Sequence, residues 1–190
     1  AGHNLELTVQ VKPSAQQPYV YVVVQNRQRV TLALAQPVQD GRADFVISKD
    51  SLEEGVSVMT VFNGDRKPVA ERLYFKRPGD KMNIALKTGE ENYGLRQKVS
   101  ILTSATDGSG APVKGNLSMA VYRLDTLHRP EEANIYNYLW LSSALRGYIE
   151  SPAYYFAEND AQTAEALDNL LLTQGWRKFR QDGLPGSQAP

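Results

Sequence analysis

From residue 5 to residue 12 the chain alternates. Leu5, Leu7, Val9 and Val11 fall on one side and Glu6, Thr8, Gln10 and Lys12 on the other, the pattern of a half-buried strand. Residues 18–26, PYVYVVVQN, are apolar on both sides and rich in β-branched residues, which predicts a central strand. Residues 29–35 alternate again through Val30, Leu32 and Leu34, and residues 43–48, ADFVIS, form a short apolar run. Residues 55–76 read as a hairpin. Val56, Val58, Thr60 and Phe62 lead into Asn63-Gly64-Asp65, and Val69, Leu73 and Phe75 lead out. Asn-Gly tolerates the positive φ angles of tight hairpin turns. About six strands in about 76 residues is the spacing of a small antiparallel sandwich.

KRPGDK (76–81) has charges, proline and glycine and nothing to bury, so a boundary is placed near Pro78-Gly79. A second β region follows. Met82, Ile84 and Leu86 share one strand face; Val99, Ile101 and Thr103 share another; Leu117, Met119 and Val121 a third. The last two strands join at Asp107-Gly108-Ser109-Gly110. Three strands with an apolar face need a cover, and two helices are the candidates. For the first, about 130–146, Pro130 suits the opening position and Glu131 and Glu132 the first turn. Ile135, Tyr138, Leu139, Ser142 and Leu145 make its inward stripe, Arg146 sits in the last turn and Gly147 takes the left-handed end. YIESPAYYF (148–156) is predicted to be extended, because Pro152 keeps Ser151 out of helical space. The second helix, about 161–173, is capped by Asp160. It buries Leu167, Leu170 and Leu171 beside Ala164 and stops at Gly175. Trp176 and Phe179 fold back as anchors, with Arg177, Lys178 and Arg180 near the negative helix end. Residues 182–190 read as a flexible tail. The expected domains are therefore 1–78, a sandwich, and 79–181, a partial β unit (strands about 82–123) carrying the two helices.

Composition narrows the chemistry. Lysine plus arginine and aspartate plus glutamate number 21 each, so the neutral chain has no long-range pull on nucleic acid or anionic membrane. There is no cysteine, which excludes disulfides, thiolate metal sites and cysteine nucleophiles. No apolar run approaches the roughly 20 residues of a membrane span. The only histidines, His3 and His128, lack metal-pair spacing. The doublets Glu53-Glu54, Glu90-Glu91 and Glu131-Glu132 diverge on any element, whereas a glycosidase pair must face across roughly 5–9 Å. Glu150, beside an aromatic run, is the one carboxylate singled out for a raised pKa. No serine sits in a G-x-S-x-G elbow, and GSG at 108–110 lacks the strand-to-helix setting and lysine of a phosphate cradle. No catalytic constellation, cofactor site or metal site emerges.

The aromatics carry the remaining signal, since Tyr136, Tyr138, Trp140, Tyr148, Tyr154, Tyr155, Phe156, Trp176 and Phe179 crowd into the last third. One reading makes them glue between helices and sheet. The other makes them a recognition surface, with Tyr136, Trp140, Tyr148, Tyr154, Tyr155, Trp176 and Arg177 as candidate anchors for a partner protein. On that reading Tyr136 and Trp140, four apart and off the main stripe, are exposed together. They, or a Tyr154-Tyr155 ledge, also offer a stacking platform for a glycan.

NIYNYLWLSSALRGYIESPAYYF (134–156), followed by ALDNLLLTQGWRKF (166–179), resembles a paired signature in a family of large bacterial cell-envelope proteins with macroglobulin-like (MG2-type) β-sandwich domains. LLLTQGWRKF is its most specific piece. Residues 55–78 resemble the closing hairpin of a sandwich in that family, and residues 96–123 the opening of the next. Members often continue into a carboxypeptidase-regulatory-like domain and a TonB-dependent receptor plug domain. The resemblance covers nearly the whole chain. It implies an immunoglobulin/macroglobulin-like sandwich, a second partial β unit and a two-helix insertion or extension, as an internal fragment without the plug-like part. It also implies a periplasmic or surface-exposed place in a Gram-negative envelope, with neighbouring domains of a longer parent chain as partners. The chain departs from α2-macroglobulins in lacking the cysteine-glutamine thioester. The expected function is non-catalytic scaffolding or protein interaction, linked to TonB-dependent uptake. Glycan binding is the alternative, and a hydrolase built on Glu150 a remote third.

Overall fold

The computed structural model describes residues 3–10, 18–79, 82–121 and 134–175. The fold is mainly β with antiparallel sheets, and the described residues divide into two compact units. One comprises those up to Arg77 together with those from Asn134 onward; the other spans Pro78 to Val121.

In the first unit, β1 (Asn4–Gln10) pairs antiparallel with β4 (Arg42–Ser48). β2 (Tyr19–Asn26), β3 (Arg29–Pro37), β5 (Gly55–Phe62) and β6 (Pro68–Lys76) form a four-stranded antiparallel sheet in the order β3-β2-β5-β6. The doubly apolar run 18–26 is thus a central strand, as its composition predicts. Between the sheets lies a core of Val20, Val22 and Val24 from β2, Ala43, Phe45 and Ile47 from β4, and Met59 and Val61 from β5. Leu5, Leu7 and Val9 close it from β1. Strand alternation sends every second residue inward, so one strip of residues from each strand suffices to build this layer.

The β5–β6 hairpin forms as read, but its turn chemistry differs. Asn63 N donates to Lys67 O, Lys67 N donates to Asn63 Oδ1, and the left-handed residue is Arg66, at φ 60°, rather than Asn63 or Gly64. The side chain of Asn63 organises the loop, so its glycine neighbour need not supply the positive φ.

The other face of the four-stranded sheet is also apolar, and three helices cover it. They are α1 (Ile135–Trp140), α2 (Tyr154–Ala157) and α3 (Ala161–Gln174). Leu141, Leu145, Ile149, Leu167 and Leu171 pack with Val56 of β5 and Leu73 of β6, flanked by Val58, Phe75 and Phe156. The helices therefore belong with residues 3–77, against the expectation that they ride on a unit 79–181. Their physical partner is the second apolar face of β5 and β6, which lies far from them in sequence.

The helical segments correct the reading in further ways. The first helix starts at a reciprocal cap. Asn134 Oδ1 accepts from Tyr136 N and Asn137 N, while Asn137 Oδ1 accepts from Asn134 N. It ends at Leu141 (φ −128°, ψ −67°) and gives way to a 3₁₀ turn at Ser142–Ala144. Ser143 Oγ donates back to Leu139 O, the local competition that makes serine a poor helix-interior residue. Ser151 does leave right-handed helical space, but into φ 46°, and Tyr154 N donates to Ser151 O, so residues 154–157 form α2 instead of an extended segment. Asp160 caps α3 as predicted, accepting from Thr163 N at 2.8 Å. That bond, together with the Thr163 side chain, holds the Asp160 carboxyl below its usual range. The buried line runs Thr163, Leu167, Leu171, and Ala164 is exposed. At Gly175 an added Cβ would sit 2.9 Å from Leu171 O of the preceding turn, so a larger residue here would force the end of α3 to shift, whereas its 3.7 Å approach to Leu73 of β6 would be an ordinary contact.

In the second unit, β7 (Asn83–Thr88) and β8 (Ile101–Thr106) pair in a register that sets Ile84 opposite Ala105 and Leu86 opposite Thr103. Asp107 Oδ1 accepts from Ser109 N, Ser109 Oγ and Ala111 N, which orders the turn. The expected third strand is absent among the described residues. After an isolated bridge between Thr106 and Pro112, residues 113–121 take no strand conformation. No residue in 82–121 is buried, and Ile84, Leu86, Ile101, Leu117 and Met119 are exposed. Two strands without a cover bury neither face.

Candidate interaction surface

The aromatic cluster is organised by α1 and α2. Tyr136 meets Trp140 edge-to-face at 6.5 Å and Phe156 at 5.2 Å, and Phe156 meets Phe75 of β6 at 5.8 Å. The ring chain ties the helices to the sheet in the geometry that aromatic quadrupoles favour. Tyr136 and Trp140 are half-buried rather than jointly exposed. Burial pushes the Tyr136 phenol above its usual range, and the nearby Glu54 charge adds to the shift.

Trp140 is also roofed, with the Arg27 guanidinium 4.7 Å above its ring. Arg27 stands in the β2–β3 turn, where Arg27 and Gln28 both hold positive φ angles, 46° and 66°. Two non-glycine residues in left-handed space are strained. The base of this turn is pinned by Asn26, buried, whose Nδ2 donates to Glu54 O and Ser57 Oγ. A cleft of about 350 Å³ opens beside the turn, lined by Gln25, Arg27, Gln28, Gly55, Trp140 and Ser143. Gly55 has φ 85°, and an added Cβ would sit 3.2 Å from both Trp140 Cε3 and Trp140 O. Gly55→Ala is therefore expected to destabilise the chain by about 1–2 kcal/mol, from left-handed strain alone, with the crowding adding to it. A urea titration checks this, and a midpoint unchanged from the parent chain would contradict the close approach.

Three of the five residues assigned to the inward stripe of the first helix, Ile135, Tyr138 and Leu139, face out, while Leu145 is buried as expected. Ile135 is 72% exposed, Tyr138 57% and Leu139 47%, whereas Asn137 and Leu141 are buried. The inward side is that of Asn137, Leu141 and Leu145, with Tyr136 and Trp140 flanking it. The reciprocal asparagine cap satisfies Asn137 internally, so a polar residue takes the inner face while apolar residues occupy the outer one. Sequence reasoning missed Ile135, Tyr138 and Leu139 as surface candidates because their spacing is that of a core stripe. The Asn134…Asn137 spacing was the signal available.

Of the other predicted anchors, Tyr148 is 86% exposed and Tyr154 is exposed beside Tyr155. Tyr154 and Tyr155 stand edge-to-face at 77°, which is not a flat ledge for a sugar ring. Burial raises the Tyr155 phenol, with Tyr154 and Glu150 adding to it. Glu150 itself is exposed. Trp176, Arg177, Lys178, Phe179 and Arg180, like His128, Pro130, Glu131, Glu132 and the tail, lie outside the described residues. Among the described residues, no three acidic or histidine side chains converge on a common metal position, and no helix is long and apolar enough to cross a membrane.

Comparison of the chain with protein-family models, with curated proteins and with solved structures found no match.

Proposed function

We propose that the chain is a non-catalytic protein-interaction and scaffolding fragment. The outward apolar stripe of α1, Ile135, Tyr138 and Leu139 with Tyr148 exposed beyond it, carries this reading. Helix residues at i, i+3 and i+4 lie side by side. An exposed apolar cluster containing tyrosines is the composition of an interface core. The β7–β8 pair supports the same reading, because Ile84, Leu86, Ile101 and Leu102 stay exposed among the described residues. The resemblance of residues 134–156 and 166–179 to macroglobulin-like envelope proteins suggests the setting. The fragment would act in the periplasm or at the surface of a Gram-negative cell, beside neighbouring domains of its parent chain and in a TonB-dependent uptake assembly.

Glycan binding has less support. The Trp140 face is occupied by Arg27, and the Tyr154-Tyr155 pair is not coplanar.

A photo-crosslinking residue in place of Tyr138, expressed in the periplasm, is expected to give discrete protein adducts. The same residue in place of exposed Gln162 on α3 gives none. Leu139→Ser is expected to abolish the adducts while changing stability by no more than about 0.5 kcal/mol, as for a surface position. Equal labelling from both positions, or none from position 138, would refute an interface here.

A further inference from the structure

The sandwich of the first unit is asymmetric: two strands face four. β1 pairs only with β4 among the described strands, and β6 is the last strand of its sheet, so each presents an edge. A groove of about 430 Å³ runs between those edges. Leu5, Glu6 and Leu7 of β1 wall it on one side and Ala70 to Tyr74 of β6 on the other, over a floor that includes Ile47, Met59 and Val61. The walls are formed by consecutive residues. A sheet face would present alternate ones, so what lines the groove on both sides is strand edge, backbone included.

We infer that this groove is a strand-addition site. It takes an extended segment of a partner protein, which hydrogen-bonds to the edge of β1 that no described strand occupies and turns alternate apolar side chains onto the floor. Strand addition to an exposed edge combines main-chain bonds for affinity with alternate side-chain positions for selectivity.

Charge defines the segment further. Glu6, exposed on β1, places negative charge at one wall of the groove, while Asp168 at the other already engages Arg72 through both of its oxygens at 2.8 Å. The remaining negative charge favours lysine or arginine on the outward side of the incoming strand. The second terminal nitrogen of Arg72, Nη1, is buried without a hydrogen-bond partner, and a main-chain carbonyl is the kind of acceptor it lacks. The occupant is thus a basic, alternately apolar strand. This site lies on the sandwich edge and is independent of the α1 stripe.

The probe is a blocked, fluorescent peptide of about eight residues, within ordinary strand length, alternating valine with lysine. Its anisotropy is expected to rise saturably with the full chain. N-methylation of alternate amides in one frame should weaken binding about tenfold or more, and in the other frame hardly at all, because only one set of amides faces β1. Glutamate in place of the lysines should weaken binding, as should Glu6→Lys, which alters an exposed side chain and leaves the melting curve unchanged. Leu139→Ser, on the helical face, should bind the peptide like the parent chain, so failure here and failure of the α1 interface are distinguishable. Three results would overturn the inference: no binding, an equal response to both methylation frames, or self-association through β1 that the peptide does not displace.

Discussion

Phe45→Ala is expected to lower the unfolding free energy of the first unit by about 3–5 kcal/mol, the usual range for emptying a buried aromatic site. Phe45 is among the largest fully buried side chains. It stands opposite Leu7 in the β1–β4 pair and faces the Val20, Val22 and Val24 strip of β2. Among the described residues only β1 and β4 make up this layer, so few neighbours are free to collapse into the void, and the cost should sit toward the upper end of the range. Against a typical domain stability of about 5–15 kcal/mol, this approaches loss of the folded state at ordinary temperature. Its neighbour Val46 points outward and is exposed, so Val46→Thr should change stability by no more than about 0.5 kcal/mol. Equilibrium urea unfolding of the two variants checks the pair. A loss below about 1 kcal/mol for Phe45→Ala, a size usual for surface positions, would mean that the two sheets do not close on a shared core.

The inward side of β1 was legible in the sequence, because Leu5, Leu7 and Val9 alternate with polar residues, whereas residues 43–48 read only as an apolar run, which does not separate Phe45 from Val46. So was the centrality of β2, since a strand apolar on both sides has to be covered twice. The hairpin of β5 and β6 is local and was read from its loop. The pairing of β1 with β4 was not legible, because about 30 residues separate the strands and any alternating strand matches any other in pattern. The position of the helices failed for the same reason. Val56, Val58, Leu73 and Phe75 advertise a second apolar face on β5–β6, but nothing in the pattern says which later segment covers it. Chain proximity pointed to the β7–β8 region and was wrong.

The candidate site was half legible. Aromatic density singled out Tyr136, Trp140, Tyr148, Tyr154 and Tyr155, and all five sit on or beside α1 and α2. Their roles were divided incorrectly. Spacing alone does not phase a helix of six residues, since so short an element has apolar residues on nearly every side. Phase is set here by the cap, because Asn137 bonds back to Asn134 N and is held on the inner face. That leaves Tyr136 and Trp140 to flank the core and Ile135, Tyr138 and Leu139 to face out. The Arg27 contact depends on a turn in which two side-chain-bearing residues adopt positive φ, and no residue preference forecasts that.

Leu141→Ala tests whether the helical layer is a separate cooperative element built onto the sheet. Leu141 is fully buried and lies where α1 gives way to the 3₁₀ turn, packed with Val56, Leu73, Leu145 and Leu171. Its truncation should cost about 2–5 kcal/mol. The loss should be local at first, because the helical layer and the inter-sheet core share strands β5 and β6 but not their buried side chains. Hydrogen exchange resolved along the chain reads this directly. Amides of α1 and α3 in the variant should exchange much faster, while those of β2 and β4 keep most of their protection. Tyr136 and Phe156 should lose their contact with each other, and Phe156 its contact with Phe75 of β6, so the crosslinks from position 138 should fall although Leu141→Ala leaves that position unchanged. Uniform acceleration through β2 and β4 would show instead that the sandwich and its helical cover unfold as one body. No acceleration anywhere would show that Leu141 does not hold the layer down.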